Sequence, residues 1–257
     1  MKTQSADGIS ISYQRTGSGN PTLVFVHGWC CDKSYWDSQV SHFAKKYEVV
    51  TVDLAGHGDS GIERENWTMS AFGKDVVAVI KQLSLEQVVL IGHSMGGPVV
   101  VETARLIPER IIGIVGVDAF QDLNYKILRE SLEEMLTRFH VDFVKTSREF
   151  VTSMFLETSE PVLVEKIVSN IGSAPPRVAI DALQGVVNQD LIGEIEKIQV
   201  PIRCICSYWR PFDLETAEQH ISSFEVVFMS GVGHFVMLED PETFNSLLEE
   251  IIADFVS

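Results

Sequence analysis

Val88-Val89-Leu90-Ile91-Gly92-His93-Ser94-Met95-Gly96-Gly97 is the stretch whose reading decides the fold. Its opening run is apolar and largely β-branched, the signature of a strand buried on both faces. That strand meets a serine with a glycine two residues away on each side, and then Met95 to Leu106, which is patterned for a helix. A chain that reverses straight from strand to helix strains the residue at the bend and lifts its side chain clear of both elements. Side chains at Gly92 and Gly96 would collide with each other or with nearby backbone, so hydrogen is favoured there. This is the G-x-S-x-G pattern of a nucleophile elbow. Alone it arises by chance; its weight comes from the surrounding chain.

Outward from the elbow, apolar runs recur. Ile9, Ile11 and Tyr13 alternate with polar residues and predict a half-exposed strand. Thr22 to Val26, Val49 to Val52, Ile111 to Val117, Ile202 to Cys206 and Val226 to Met229 predict further strands. Helical patterns separate most of them: Tyr35 to Lys45, Met69 to Leu83, Met95 to Leu106 and Leu214 to Ser222. A last helix is marked by Asp240 as N-cap, Pro241 in the first turn and an apolar face from Phe244 to Phe255. Strands without alternation, interleaved with helices, predict a mostly parallel sheet covered on both sides. From about 120 to 198 no strand is evident. Leu128, Leu132, Met135, Leu136 and Phe139 form an apolar stripe, and Pro175-Pro176 interrupts the pattern. The expected organisation is an α/β core over 1–119 and 199–257 with a helical cap inserted at 120–198; a few extra core helices are the plainer alternative.

The chain has 257 residues and a net charge of −16, long enough for one α/β domain with an insertion and too acidic for a phosphate backbone. Met1 to Gly8 is polar and lacks the apolar core of a secretory signal, and no apolar run reaches membrane-spanning length. Cytoplasmic residence and no membrane insertion are therefore expected. Cysteine occurs as Cys30-Cys31 and as Cys204 and Cys206, spacings that suit reduced thiols better than a zinc site. No metal or cofactor is expected. Nothing in the pattern speaks to oligomeric state.

Polar residues collect at strand ends, where open α/β sheets place their sites. His27-Gly28-Trp29 follows the Thr22 to Val26 strand, Asp53 to Ser60 the next, Ser94 the next and Asp118 the next, while Gly233-His234-Phe235 precedes the final helix. In order and placement these motifs resemble the α/β-hydrolase fold superfamily, and in particular its serine esterases. The resemblance implies Ser94 as nucleophile and His234 as its base. It implies an oxyanion hole from the backbone N–H groups of Trp29 and Met95. Because main chain does that work, replacing either side chain is expected to matter less than moving its loop. His27, His57 and His93 are read as structural. The acid departs from the common pattern, which puts it just past the penultimate strand. Here Ser207-Tyr208-Trp209-Arg210-Pro211-Phe212 carries no carboxylate. Asp118 is the leading choice, because pancreatic-type lipases, which share this fold, keep their acid at that strand end. Asp213 follows, although its position also suits an N-cap, and then Asp122 or Glu215.

A serine at the elbow implies acyl transfer through an acyl-enzyme and argues against relatives that use aspartate there. The expected reaction is hydrolysis of a small-molecule carboxylic ester with a small or medium apolar acyl group. Trp29, Trp36, Tyr208 and Trp209 are candidate pocket walls, though core packing alone would also account for Trp36. Carbon–carbon bond hydrolysis and cofactor-free perhydrolysis use the same triad, and a ligand receptor built on the hydrolase scaffold is an alternative of another class.

Overall fold

β5 (Val88–His93) is buried along its whole length, as an unbroken apolar run requires. In the computed structural model, which describes the backbone of residues 1–257 and all side chains except those of 126–130, it lies inside a single sheet. The other strands are β1 (Lys2–Gln4), β2 (Ser10–Thr16), β3 (Thr22–Val26), β4 (Glu48–Val52), β6 (Ile111–Val117), β7 (Ile202–Ser207) and β8 (Phe224–Met229). Their spatial order is β1-β2-β4-β3-β5-β6-β7-β8. The β1–β2 and β2–β4 pairings at one edge are antiparallel, and the pairings β4–β3, β3–β5, β5–β6, β6–β7 and β7–β8 are parallel. β1 was not anticipated, because Lys-Thr-Gln has no apolar period to read.

Strand order positions the site. β3 sits between β4 and β5, so the chain turns to one side after β3 and then returns to its other side. Such a reversal opens a crevice at the carboxyl ends of the two flanking strands. Here those strands are β3 and β5, registered with Val26 opposite Gly92. The loops that follow them, at Trp29 and at Ser94, are thereby brought together.

The helices match their patterns closely. Met69–Gln82 starts at Thr68, whose side chain accepts from the Ala71 amide. Pro241–Phe255 starts at Asp240, which accepts from Thr243. The segment read as a helix from Tyr35 is split into a 3-10 turn, Lys33–Trp36, and a helix, Asp37–Phe43, with Asp32 capping the turn. A short helix, Val236–Glu239, follows His234 and was not foreseen. Between β6 and β7 lie five helices: Lys126–Val141, Phe143–Thr152, Pro161–Gly172, Pro176–Val187 and Leu191–Ile195. On the first of them Phe139 is buried, and Leu132, Met135 and Leu136 pack partly buried against the core. The Leu128 side chain of the expected stripe lies outside the described residues.

Candidate active site

Ser94 occupies the bend between β5 and helix Gly96–Leu106 with φ of 52°, a left-handed conformation that an L-residue holds only under constraint. The glycines have a steric reason. A Cβ on Gly92 would stand 2.4 Å from the Gly96 carbonyl oxygen, and one on Gly96 would stand 2.5 Å from that of Val26. The Ser94 amide donates to Val117 O at 3.0 Å, which ties the bend to the end of β6.

Asp118 follows β6 directly, fully buried and also left-handed, with φ of 44°. Its Oδ1 accepts from the Ser207 amide at 2.8 Å and the Ser207 hydroxyl at 3.2 Å. Its Oδ2 accepts from His234 Nδ1 at 2.5 Å and from the Trp209 indole N–H at 2.5 Å. Burial pushes the Asp118 carboxyl up, but the His234 hydrogen bond and charge, the Ser207 amide and the Arg210 charge outweigh it, so Asp118 sits below the usual carboxylate range. An ionised carboxylate is an acceptor only, so it takes the Nδ1–H of His234, and in the neutral ring that tautomer leaves Nε2 as the acceptor.

The loop that carries His234 is held on several sides. The His234 amide donates to Met154 O at 2.9 Å, and its carbonyl accepts from His93 Nε2 at 3.1 Å. The Glu239 carboxylate gathers the amides of Gly233 and Phe235, at 3.0 and 3.2 Å, and the Ser159 hydroxyl at 2.7 Å. The imidazole rests between the rings of His93 and Trp209, with centroids 4.7 and 5.3 Å away.

His27, His57 and His93, read from the sequence as structural, are all buried. His27 Nδ1 donates to Gly28 O at 2.8 Å and its Nε2 accepts from the Leu54 amide at 3.1 Å. His57 Nδ1 donates to Ala55 O at 2.9 Å and packs against His27 at 5.0 Å. Burial, then the charge of a neighbouring histidine, drives His57 and His93 each down to about 3, so both are neutral at ordinary pH.

A cavity of about 360 Å³ is lined by Ser94, Asp118 and His234 together with Trp29 and Met95. The two strand-end loops touch: a Cβ on Gly28 would lie 3.2 Å from Ser94 Cβ. Trp29 is anchored more firmly than expected. Its indole donates to Ala179 O at 2.7 Å, and its ring packs among Phe139, Phe143 and Phe150. Side chain and loop position are thus coupled at Trp29, so replacing the side chain is also expected to loosen the loop. Much of the wall is apolar and comes from the segment between β6 and β7, including Met135, Phe150, Met154, Leu183 and Val186.

Other expectations change. Trp36 is no wall: it is fully buried against Phe25 and Phe244. Tyr208 turns out to solvent, 68% exposed, and stacks on Phe228. Asp213 caps helix Leu214–His220 through the Thr216 amide and hydroxyl. Asp122 lines the cavity, and Glu215 is in the first turn of the helix that Asp213 caps, but the imidazole proton goes to Asp118. Trp209 was foreseen as a wall but not as a partner of the acid, since nothing local shows which carboxylate an indole will reach. Among the described residues no three His, Cys, Asp or Glu side chains converge as for a metal. Nor is any helix long and apolar enough to cross a membrane.

A model described as "Alpha/beta hydrolase family" matches residues 23–247. The chain is 23% identical to 3-oxoadipate enol-lactonase 2 of Acinetobacter baylyi, covering 98% of this chain and 97% of that one. It is 24% identical to a karrikin insensitive 2 receptor of Petunia hybrida, over 88% and 89% of the two chains. A thermophilic esterase from Thermogutta terrifontis superposes with a TM-score of 0.88 at 22% identity, covering 100% and 99%.

Proposed function

The chain belongs to the alpha/beta hydrolase family, and on that footing we propose that it is a serine hydrolase, a carboxylesterase acting through an acyl-enzyme on a small or medium apolar acyl group. One observation carries the reading: the Asp118–His234 hydrogen bond at 2.5 Å, in a cavity that Ser94 lines.

In this mechanism His234 Nε2 takes the Ser94 proton as Oγ attacks the ester carbonyl carbon. The imidazolium so formed is stabilised by the Asp118 carboxylate bonded to it. The tetrahedral oxygen becomes negative, and the amides of Trp29 and Met95 meet it. Collapse breaks the bond to the alcohol, which leaves with the proton from Nε2. Water, activated by the same nitrogen, then attacks the Ser94 ester and releases the acid. The catalytic residues in this reading are Ser94, Asp118 and His234, with the amides of Trp29 and Met95 as oxyanion donors. Residues 120–198 act as a cap over the core formed by 1–119 and 199–257. The apolar side chains that this segment contributes to the cavity support an apolar acyl group as its occupant.

A receptor reading has one observation behind it, the resemblance over most of its length to the petunia protein. Hydrolysis of p-nitrophenyl esters of short acids separates the two. An esterase gives prompt multiple turnover that disappears in Ser94→Ala. A single slow turnover, or none, favours the receptor.

A further inference from the structure

Among the described residues that line the cavity, Arg210 is the sole lysine or arginine, in a chain with 20 Lys and Arg against 36 Asp and Glu. Its setting is built. The exposed guanidinium lies over the Trp209 ring, 5.1 Å from its centroid. Its Nη2 donates to Gln121 Oε1 at 2.8 Å, so the partner is a neutral amide and not a carboxylate. Gln121 also lines the cavity, is only 1% exposed, and has its own carbonyl bonded to the Asp213 amide at 2.8 Å. The Gln121 Nε2 group is buried and has no hydrogen-bond acceptor among the described residues. Native proteins leave few such donors unpaired, and each one calls for an explanation. The bond from Arg210 assigns the orientation, because the atom that accepts from a guanidinium is the oxygen.

We infer that Gln121 and Arg210 form a subsite for an oxyanion carried by the substrate, so that the ester or lactone cleaved here bears a carboxylate at the end remote from the reacting carbonyl. A guanidinium with N–H groups to spare suits a carboxylate in a bidentate fork, and the unpaired amide donor adds a further contact. The apolar wall then holds the carbon chain between the two ends. The inference rests on the serine-esterase reading, which it deepens by naming the substrate class.

The test compares p-nitrophenyl hydrogen succinate, glutarate and adipate with neutral p-nitrophenyl esters of matched length. For each pair the readout is the ratio of kcat/KM, acid ester over neutral ester. In Arg210→Gln that ratio is expected to fall by about tenfold for at least one chain length, and Arg210→Lys is expected to keep part of it. Gln121→Glu, which sets a carboxylate in the subsite, is expected to lower it as well. A ratio that Arg210→Gln leaves unchanged at all three lengths overturns the subsite. If wild type cleaves none of the esters, the esterase reading fails by itself. Calorimetric titration of wild type and Arg210→Gln with methyl hydrogen glutarate then decides: binding weakened at least about fivefold by the substitution supports the subsite, and equal binding overturns it.

Discussion

Replacing Asp118 by asparagine probes the site where it is least forgiving. Every neighbour of the carboxylate is a donor: the Ser207 amide and hydroxyl on Oδ1, and Trp209 Nε1 and His234 Nδ1 on Oδ2. Asparagine must turn its NH₂ to one of those sides. Facing Ser207, it opposes a backbone N–H that cannot reverse. Facing His234, it drives the imidazole to the tautomer with a bare Nδ1 and a protonated Nε2, which cannot accept the Ser94 proton. Either arrangement leaves buried donors unpaired, at about 1–3 kcal/mol each. The corresponding change in Ser–His–Asp proteases lowers kcat by about 10⁴, or about 5–6 kcal/mol of barrier. Asp213→Asn is the matched control, because Asp213 only caps a helix and asparagine caps equally well. Steady-state hydrolysis of p-nitrophenyl butanoate is the assay. The expected result is a loss in kcat of about three to four decades for Asp118→Asn and less than about twofold for Asp213→Asn. A loss under tenfold for Asp118→Asn, or equal losses in the two variants, refutes the assignment.

Further tests address how the triad is held. Trp209→Phe keeps a ring beside His234 but removes the N–H bonded to Asp118. Hydrogen bonds to charged groups contribute about 1.5–3 kcal/mol, so kcat should fall about 10- to 100-fold, with a smaller change in KM; an unchanged kcat would show that the indole only packs. Glu239→Ala strands the buried amides of Gly233 and Phe235. Urea denaturation should show about 2–4 kcal/mol less stability, and kcat should drop because the His234 loop loosens; unchanged values would mean that other contacts suffice. His57 and His93, each driven by burial and then a neighbouring histidine down to about 3, stay neutral in the fold while the unfolded chain protonates near 6.5. Between those values the unfolded state binds more protons, so stability rises with pH and is lost on acidification from 6.5 toward 3. Each histidine contributes about 1.4 kcal/mol per pH unit within that window, so two together lose about 4 kcal/mol between pH 7 and pH 5. His27, also lowered by burial first, acts in the same sense. Asp118, held low, adds its own loss only below about pH 4, where the unfolded carboxyl protonates. Equal stability at pH 7 and pH 5 by denaturant titration would contradict the two buried neutral histidines.

Much of the scaffold was legible because its signals are local. The β5 run, the glycines about Ser94 and the Asp240-Pro241 start of the last helix each state their geometry within a few residues. β1 was silent because a three-residue polar edge strand owes its existence to β2, not to its own pattern. Tyr208 misled for a related reason, and Trp36 took the core alternative left open for it. An aromatic ring says that something will pack against it, and only the fold says whether that is core, cavity or another surface ring.

Chain order and residue type were enough to propose Ser94 and His234 as nucleophile and base and to narrow the candidate acids to a few carboxylates. Pairing distant strand ends is a different matter, because Asp118 and His234 are 116 residues apart and meet only once β6 and the final loop are docked. Tertiary structure alone set the Asp118 carboxylate against His234 and Asp213 at a helix start, brought Trp209 to the carboxylate and left Gln121 Nε2 without a partner among the described residues. The physical reason is that hydrogen bonds of this kind depend on position and direction to within a few tenths of an ångström, and sequence spacing carries neither across a sheet.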